Sequence, residues 1–171
     1  MKMSYFLKTI KIKPGKIYPI LKIFKNLEKS KVLKILIPEK NKRTAFLKKQ
    51  KIVFSRKCSC CNVLNEKYIS FPHNYWNESP AYGFYLDIIH ELTHCWQREK
   101  ENINFRNLAR KFEYWENPKE LEAYAHGLIE AKSKGISKKQ FKDYIEEDDF
   151  LNKKQIELLY RNILKFKISK K

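Results

Sequence analysis

The sequence has little glycine and proline, with 4 Gly and 6 Pro among 171 residues. No self-similar period of about 20 to 50 residues stands out, so repeat and low-complexity architectures are excluded. Long apolar runs are also missing, because lysines interrupt each run. Every run falls well short of the about 18 to 20 residues that a membrane span requires. We therefore expect no transmembrane segment.

A secretion signal is missing as well. The start, "MKMSYFLKTIKIKPGKIYPILKIFK", has neither a continuous apolar core nor a small-residue cleavage site. We therefore expect the protein to stay in the cytoplasm of the cell that makes it or of a host cell. In that setting, thiols are the default state of cysteine and disulfides the exception.

Cysteine is scarce, and three of the four cysteines fall in the segment "CSCC". This segment lacks the two-residue gap that usually separates a pair of zinc ligands. A second zinc site built from Cys58, Cys60 and Cys61 is therefore not favoured. Cys95 stands alone, and we interpret it as a small buried apolar residue.

Acidic residues are rare in the first third of the chain. Residues 1–60 carry 18 Lys+Arg against 2 Asp+Glu, a net charge of +16 in a chain whose total is +18. Residues 61–130 carry −4 and residues 131–171 carry +6. A basic segment of this kind can bind nucleic acid or an acidic partner. The abundance of Lys, Ile and Asn together is equally typical of an AT-rich coding sequence, so the charge alone does not require such a partner.

Apolar and aromatic residues are plentiful, at 43% and 14%, which indicates one folded domain with a substantial core. Apolar spacing predicts helices over 16–30, 83–100, 105–115, 118–134, 138–147 and 153–166. It predicts strands over 31–37, 51–55 and 67–71, with the last two joined as a hairpin across the cysteines. The predicted fold class is α+β, a small antiparallel or mixed sheet packed on an active-site helix, with a helical C-terminal part.

The segment "DIIHELTHCWQ" carries the clearest chemical signal. On a helix, His90 and His94 lie one turn apart on the same face, and Glu91 is rotated from them by about 100°. A catalytic zinc ion takes three protein ligands and keeps a position for water, whose proton a nearby carboxylate can accept. The apolar flanks indicate a core helix, where two imidazoles need partners. The pattern therefore predicts a Zn²⁺ site with Glu91 as the general base.

The third ligand must come from elsewhere in the chain. An H-E-x-x-H-x-x-G-x-x-H arrangement is excluded, because the chain has Gln97 and Lys100 at the two further positions. The remaining candidates are Glu113, Glu116, Glu120, Glu122 and His126. We assign Glu120 to a capping box and choose Glu122, since the small Ala123 beside it allows another helix to approach. His126 lies on the same face as Glu122 and is expected to orient a ligand or contact substrate. The alternative makes His126 the ligand.

The motif "HELTHCWQ", followed by Glu122 in "NPKELEAYAHG", resembles a zincin metallopeptidase of the gluzincin type. In that group one helix carries H-E-x-x-H and a second helix supplies a glutamate, often just before an alanine. The chain is most similar to small metallopeptidase-like proteins of tailed phages, which show a Gln soon after the second His and a P-x-E-x-E-A segment. The resemblance covers about residues 67–131. Residues 1–60 and 137–171 lie outside it, as a basic N-terminal part and C-terminal helices of the same single domain.

The resemblance implies that His90, His94 and Glu122 bind zinc and that Glu91 is the general base of a zinc-dependent peptidase. Many gluzincins have Asp four residues after the ligand glutamate, where this chain has His126. Candidates for the residue that stabilises the transition state are Tyr114, Tyr124 and His126. The strand "KYISF" is expected to be the edge along which an extended peptide substrate pairs.

Two other functions are consistent with the sequence. The first is a nucleic-acid-associated protein that uses the basic N-terminal part, alone or as a SprT-like peptidase. The second is a non-catalytic metal scaffold, in which Cys95 or His73 would supply a fourth protein ligand.

Overall fold

The computed structural model describes residues 12–56, 62–64, 68–101, 105–147 and 151–167. The strands are β1 Ile17–Pro19, β2 Lys51–Ser55, β3 Asn62–Leu64 and β4 Tyr68–Pro72. The helices are α1 Ile20–Ile23, α2 Lys31–Leu36, α3 Lys40–Lys49, α4 Tyr75–Glu78, α5 Ala81–Glu101, α6 Phe105–Lys111, α7 Pro118–Ser133, α8 Lys138–Glu146 and α9 Lys153–Lys165. Two 3₁₀ turns cover Leu27–Lys29 and Tyr114–Glu116. The predicted α+β class is confirmed. In the part of the chain that is described, no helix combines the length and apolar character needed to cross a membrane.

The described strands form a mixed sheet in the order β1-β2-β4-β3. The predicted hairpin between β2 and β4 is wrong, because these two strands run parallel, with Val53 opposite Ser70. The antiparallel partner of β4 is β3, which was not predicted. Since β4 lies between β2 and β3, the prediction that "KYISF" is an edge strand is also wrong. Cys58, Cys60 and Cys61 lie outside the described residues.

The N-terminal segment departs furthest from the prediction. Residues 31–36, expected as a strand, form α2, whose first turn is capped by Ser30 Oγ, which accepts from the Leu33 N–H at 3.2 Å. The β-branched and aliphatic run "KVLKILI" suits a strand locally, but the cap and the burial of Val32 and Leu33 favour a helix. The helix expected over 16–30 is broken by Pro19 at the start of α1 and by Asn26, which has a φ of 59°.

The later helices follow the sequence closely. The helix predicted over 83–100 is confirmed as α5, and the helix predicted from Pro118 is confirmed as α7, with Asn117 Oδ1 accepting from the Lys119 N–H at 3.0 Å. Helices α8 and α9 both begin with a capping box, and their N-caps are Ser137 and Asn152. The helix predicted over 105–115 is shorter, because α6 ends at Lys111.

Two apolar clusters flank the helix that carries the histidines. One cluster joins the sheet and α1 to α3 to one side of α5, and the other joins α7, α8 and α9. Phe46 and Leu47 of the basic N-terminal part belong to the first cluster. The Phe46 ring packs edge-on against the Trp96 ring of α5, with ring centroids 5.9 Å apart. Apolar residues of the basic N-terminal part, within its described range 12–56, therefore contribute to the core that holds α5.

A buried carboxylate ties three helices together. Glu130 of α7 is fully buried and accepts from Tyr85 Oη of α5 at 2.7 Å. Its other oxygen accepts from Ser30 Oγ at 2.9 Å and from the Val32 N–H at 3.0 Å, at the start of α2. Hydrogen bonds to a charged, buried acceptor are among the stronger ones in a protein. Glu130 therefore fixes how α7 lies against α2 and α5.

We predict that Glu130→Ala destabilises the protein by at least about 3 kcal/mol, because three buried donors lose this acceptor. Urea unfolding of both proteins measures the change. The matched control is Glu157→Ala, which removes an exposed glutamate from α9 and is expected to change stability by no more than about 0.5 kcal/mol. Similar small changes in the two variants would contradict the role given to Glu130.

Candidate metal centre

Helices α5 and α7 pack against each other and bring the predicted site residues into a buried position. His90 and His94 are 6% and 7% exposed, and Glu91 is 6% exposed. The prediction that this is a core helix is therefore consistent with the structure. Each imidazole needs polar partners to offset its burial.

Three ligand atoms meet between the two helices. His90 Nε2 lies 2.9 Å from His94 Nε2, and Glu120 Oε2 lies 3.2 Å from His94 Nε2 and 3.3 Å from His90 Nε2. A tetrahedral zinc ion with bonds of about 2.0 to 2.1 Å separates its ligand atoms by about 3.3 Å. Over the described ranges, no other group of three or more His, Cys, Asp or Glu side chains approaches this closely. The donor set and its spacing therefore fit a divalent cation.

The carboxylate in this cluster is Glu120, whereas the sequence analysis chose Glu122. The capping-box role given to Glu120 is not present, because the Asn117 side chain caps α7 and the Glu120 carboxylate turns to the histidines. Two residues on, a helix has rotated by about 200°. Glu122 consequently points to Gln97 Nε2 at 3.0 Å and Lys119 Nζ at 3.2 Å. Of the two glutamates, Glu120 is therefore the one whose carboxylate lies close to both histidines.

A signal for Glu120 was available in the pattern of α7. Glu120 and Tyr124 are four residues apart and therefore share a face. The Tyr124 ring packs on the His90 ring with centroids 4.5 Å apart, so this face is the one that meets the histidines. Tyr124 was predicted to lie near the reaction centre, and the same helical spacing also places Glu120 there.

The electrostatics of the cluster follow from burial and opposite charge. Burial lowers the pKa of His94, but the Glu120 carboxylate, Glu91 and the Gln97 acceptor more than offset this and raise that pKa to about 9. Burial opposes ionisation of Glu120, yet the two imidazoles hold its pKa well below the usual range. Without a cation, His94 and Glu120 therefore form an ion pair.

Glu91 is buried directly after His90 on α5, where its charge interacts with both histidines and with Glu120. Burial raises its pKa, and the neighbouring His90 and His94 oppose that rise in part. A carboxyl group with a raised pKa accepts a proton more readily near neutral pH than an exposed one does.

Two other residues singled out by the sequence occupy different environments. His126 is fully buried, and neither ring nitrogen has a hydrogen-bond partner in the described structure. Burial lowers its pKa. The structure therefore does not place His126 among the ligands or in a hydrogen bond that would orient one. Tyr124 does adjoin the site, since its ring packs on His90 and its hydroxyl lies 3.0 Å from that of Tyr114.

The structure brings no fourth ligand to the cluster from the residues it describes. Cys95 is half-buried, and burial raises the pKa of its thiol to about 12. His73 also lies outside the cluster. The contacts expected of a closed four-ligand scaffold through Cys95 or His73 are therefore not formed.

The sequence analysis missed Gln97 as a site residue and used it only to exclude one ligand pattern. Gln97 is 2% exposed, and its Oε1 lies 2.8 Å from His94 Nδ1. Its position three residues after His94 is the signal that could have found it, because residues three apart are neighbours on a helix.

No protein-family profile, curated protein or solved structure matches this chain.

We predict that Glu120→Ala weakens zinc binding more than about 100-fold, because it removes one of the three proposed ligand atoms. Removing a residue that only hydrogen-bonds to a ligand typically weakens binding about 10- to 100-fold. Glu122→Ala is expected to cost about 10-fold. Competition titrations with a zinc chelator measure both variants. Normal affinity in Glu120→Ala together with complete loss in Glu122→Ala would restore the assignment made from the sequence.

We further predict that the affinity for zinc rises about tenfold per pH unit between pH 6 and 8. A cation at His94 must displace the proton that this residue holds below its pKa of about 9, so each unit of pH removes a tenfold competition. Chelator competition at several pH values gives the slope. An affinity independent of pH over this range would show that His94 carries no such proton.

Proposed function

We propose that this protein is a zinc-dependent peptidase of the zincin type, with Glu91 as general base. The observation that carries the proposal is the meeting of His90 Nε2, His94 Nε2 and Glu120 Oε2 within 2.9 to 3.3 Å. Two imidazoles and one carboxylate form a donor set used by catalytic zinc in peptidases.

The arrangement of helices and sheet also supports the proposal. The helix with both histidines packs on a mixed sheet, and a later helix supplies the carboxylate. This is the order of elements that the resemblance to gluzincins implies, with Glu120 in the place first given to Glu122. His90, His94 and Glu120 would hold the cation. A bound zinc ion acts as a Lewis acid and lowers the pKa of water to about 7.

The proposed roles of the protein groups follow from their positions. Glu91 accepts a proton from the attacking water and passes it to the leaving amine as the peptide bond breaks. The pKa of Glu91 is raised by burial, which favours this exchange near neutral pH. The paired hydroxyls of Tyr114 and Tyr124, beside His90, are the candidates to donate a hydrogen bond to the oxyanion.

We predict that Glu91→Gln lowers kcat about 10²- to 10⁴-fold while zinc content is unchanged, because the amide cannot accept the proton but occupies the same volume. Hydrolysis of fluorescently labelled casein and of a mixed peptide library, with metal analysis of each sample, provides the test. The control is Glu99→Gln, which alters an exposed glutamate of α5. Equal hydrolysis by Glu91→Gln and by the unaltered protein would contradict the proposed role, and the absence of hydrolysis by the zinc-loaded, unaltered protein would contradict the proposed activity.

A further inference from the structure

We propose that Gln97 and Glu122 form a positioning pair that holds His94 with its Nε2 lone pair directed at the cation site. The inference rests on the function proposed above and adds residues to the same site. Neither residue belongs to the group of three ligand atoms, and both act through contacts with residues that do.

The orientation of the Gln97 amide is fixed by its surroundings. Its Nε2 lies 3.2 Å from the carbonyl oxygen of Lys119 and 3.0 Å from Glu122 Oε2, and both of these atoms only accept hydrogen bonds. The nitrogen end must therefore face them. The oxygen end then faces His94, so His94 Nδ1 donates to Gln97 Oε1 at 2.8 Å.

This hydrogen bond decides which nitrogen of His94 can bind a cation. With the proton on Nδ1, Nε2 is the nitrogen left to present a lone pair, and it is Nε2 that lies 3.2 Å from Glu120 Oε2. Metal-binding histidines generally donate their other ring N–H to an acceptor that fixes the tautomer and the ring orientation. Gln97 supplies that acceptor here, and Glu122 in turn holds Gln97.

The two histidines differ in this respect. His90 Nδ1 is buried and has no hydrogen-bond partner among the described residues. His90 is oriented by ring packing against Tyr124, whereas His94 is the imidazole whose Nδ1 is held by a hydrogen bond. Gln97, at 2% exposure, is shielded from the water that would otherwise compete for His94 Nδ1.

Gln97 also links the two helices that carry the ligands. Through the Lys119 carbonyl it contacts the first turn of α7, one residue before Glu120. Glu122 is held in addition by Lys119 Nζ at 3.2 Å, and the same ammonium pairs with Glu101 Oε2 at 2.5 Å. One amide therefore sets the ring of His94 and contacts the turn that presents the Glu120 carboxylate.

The test compares binding of Co²⁺ to full-length variants by visible absorption. Gln97→Leu removes the acceptor while keeping a side chain of similar size, and we expect it to bind Co²⁺ about 10- to 100-fold more weakly with an altered spectrum. The double variant Gln97→Glu with Glu122→Gln exchanges amide and carboxylate and keeps an acceptor for His94 Nδ1. We expect it to recover part of the affinity lost in Gln97→Leu, because the acceptor for His94 Nδ1 is restored while the donor to the Lys119 carbonyl oxygen is not. Glu99→Gln serves as the exposed control on α5.

A second measurement does not depend on a variant folding. This measurement is ¹H–¹⁵N NMR spectroscopy of the zinc-loaded, ¹⁵N-labelled protein. We expect the His94 ring to carry a proton on Nδ1 and the metal on Nε2. A His94 that carries the metal on Nδ1 would overturn the inference. Unchanged Co²⁺ affinity and spectrum in Gln97→Leu would overturn it as well.

Two further variants separate failure of this inference from failure of the proposed site. If Glu120→Ala and His94→Ala lose Co²⁺ while Gln97→Leu binds it normally, the metal site stands and the positioning role is wrong. If Glu120→Ala and His94→Ala bind Co²⁺ as well as the unaltered protein, the metal site itself is wrong and the positioning role falls with it.

Discussion

Two carboxylates on α7, the fully buried Glu130 and the half-buried Glu120, govern how this helix meets α5. Glu120 lies beside the two imidazoles at one end of the contact, and Glu130 accepts from Tyr85 at the other. The two glutamates are ten residues apart, which is about 15 Å along a helix. Because Glu130 and the two histidines that Glu120 contacts are buried, sliding or rotating α7 would leave buried polar groups without partners at both ends. The interactions that hold α5 and α7 together therefore also set the geometry of the site.

Burying charge in this way is costly unless each group is paired. The Glu120 carboxylate and the His94 ring offset each other's burial, and Glu130 does so through three donors. The two arrangements differ in what they can bind. Glu130 has hydroxyl and amide donors and the Lys134 ammonium around it, whereas Glu120 faces two imidazole nitrogens, which are a common type of metal ligand. A divalent cation could take the place of the His94 proton between Glu120 and the histidines, but it has no comparable ligand set at Glu130.

The sequence favoured Glu122 as the partner of the histidines, whereas the structure places Glu120 beside them, and the difference shows what spacing alone leaves undecided. Both glutamates stand near the start of a helix that the sequence predicted well, and both are adjacent to small or apolar neighbours. Their side chains point about 200° apart, so the face of α7 that meets α5 decides between them. That face is set by distant contacts, including the packing of Tyr124 on His90 and the bond from Tyr85 to Glu130. The sequence assigned Glu120 to a capping box, but the Asn117 side chain caps α7, and the Glu120 carboxylate is available for the cluster.

The sequence by itself determined the elements whose signals are local. The spacing of His90 and His94, the caps of α7, α8 and α9, and the apolar stripe of α5 all arise within one or two helical turns, where rotation per residue fixes the outcome. The tertiary structure alone decided the third member of the cluster, the parallel pairing of β2 with β4 and the helical state of residues 31–36. These depend on partners far along the chain, such as the Glu130 carboxylate of α7, which accepts from the Val32 N–H at the start of α2. They also depend on burial that outweighs local propensity.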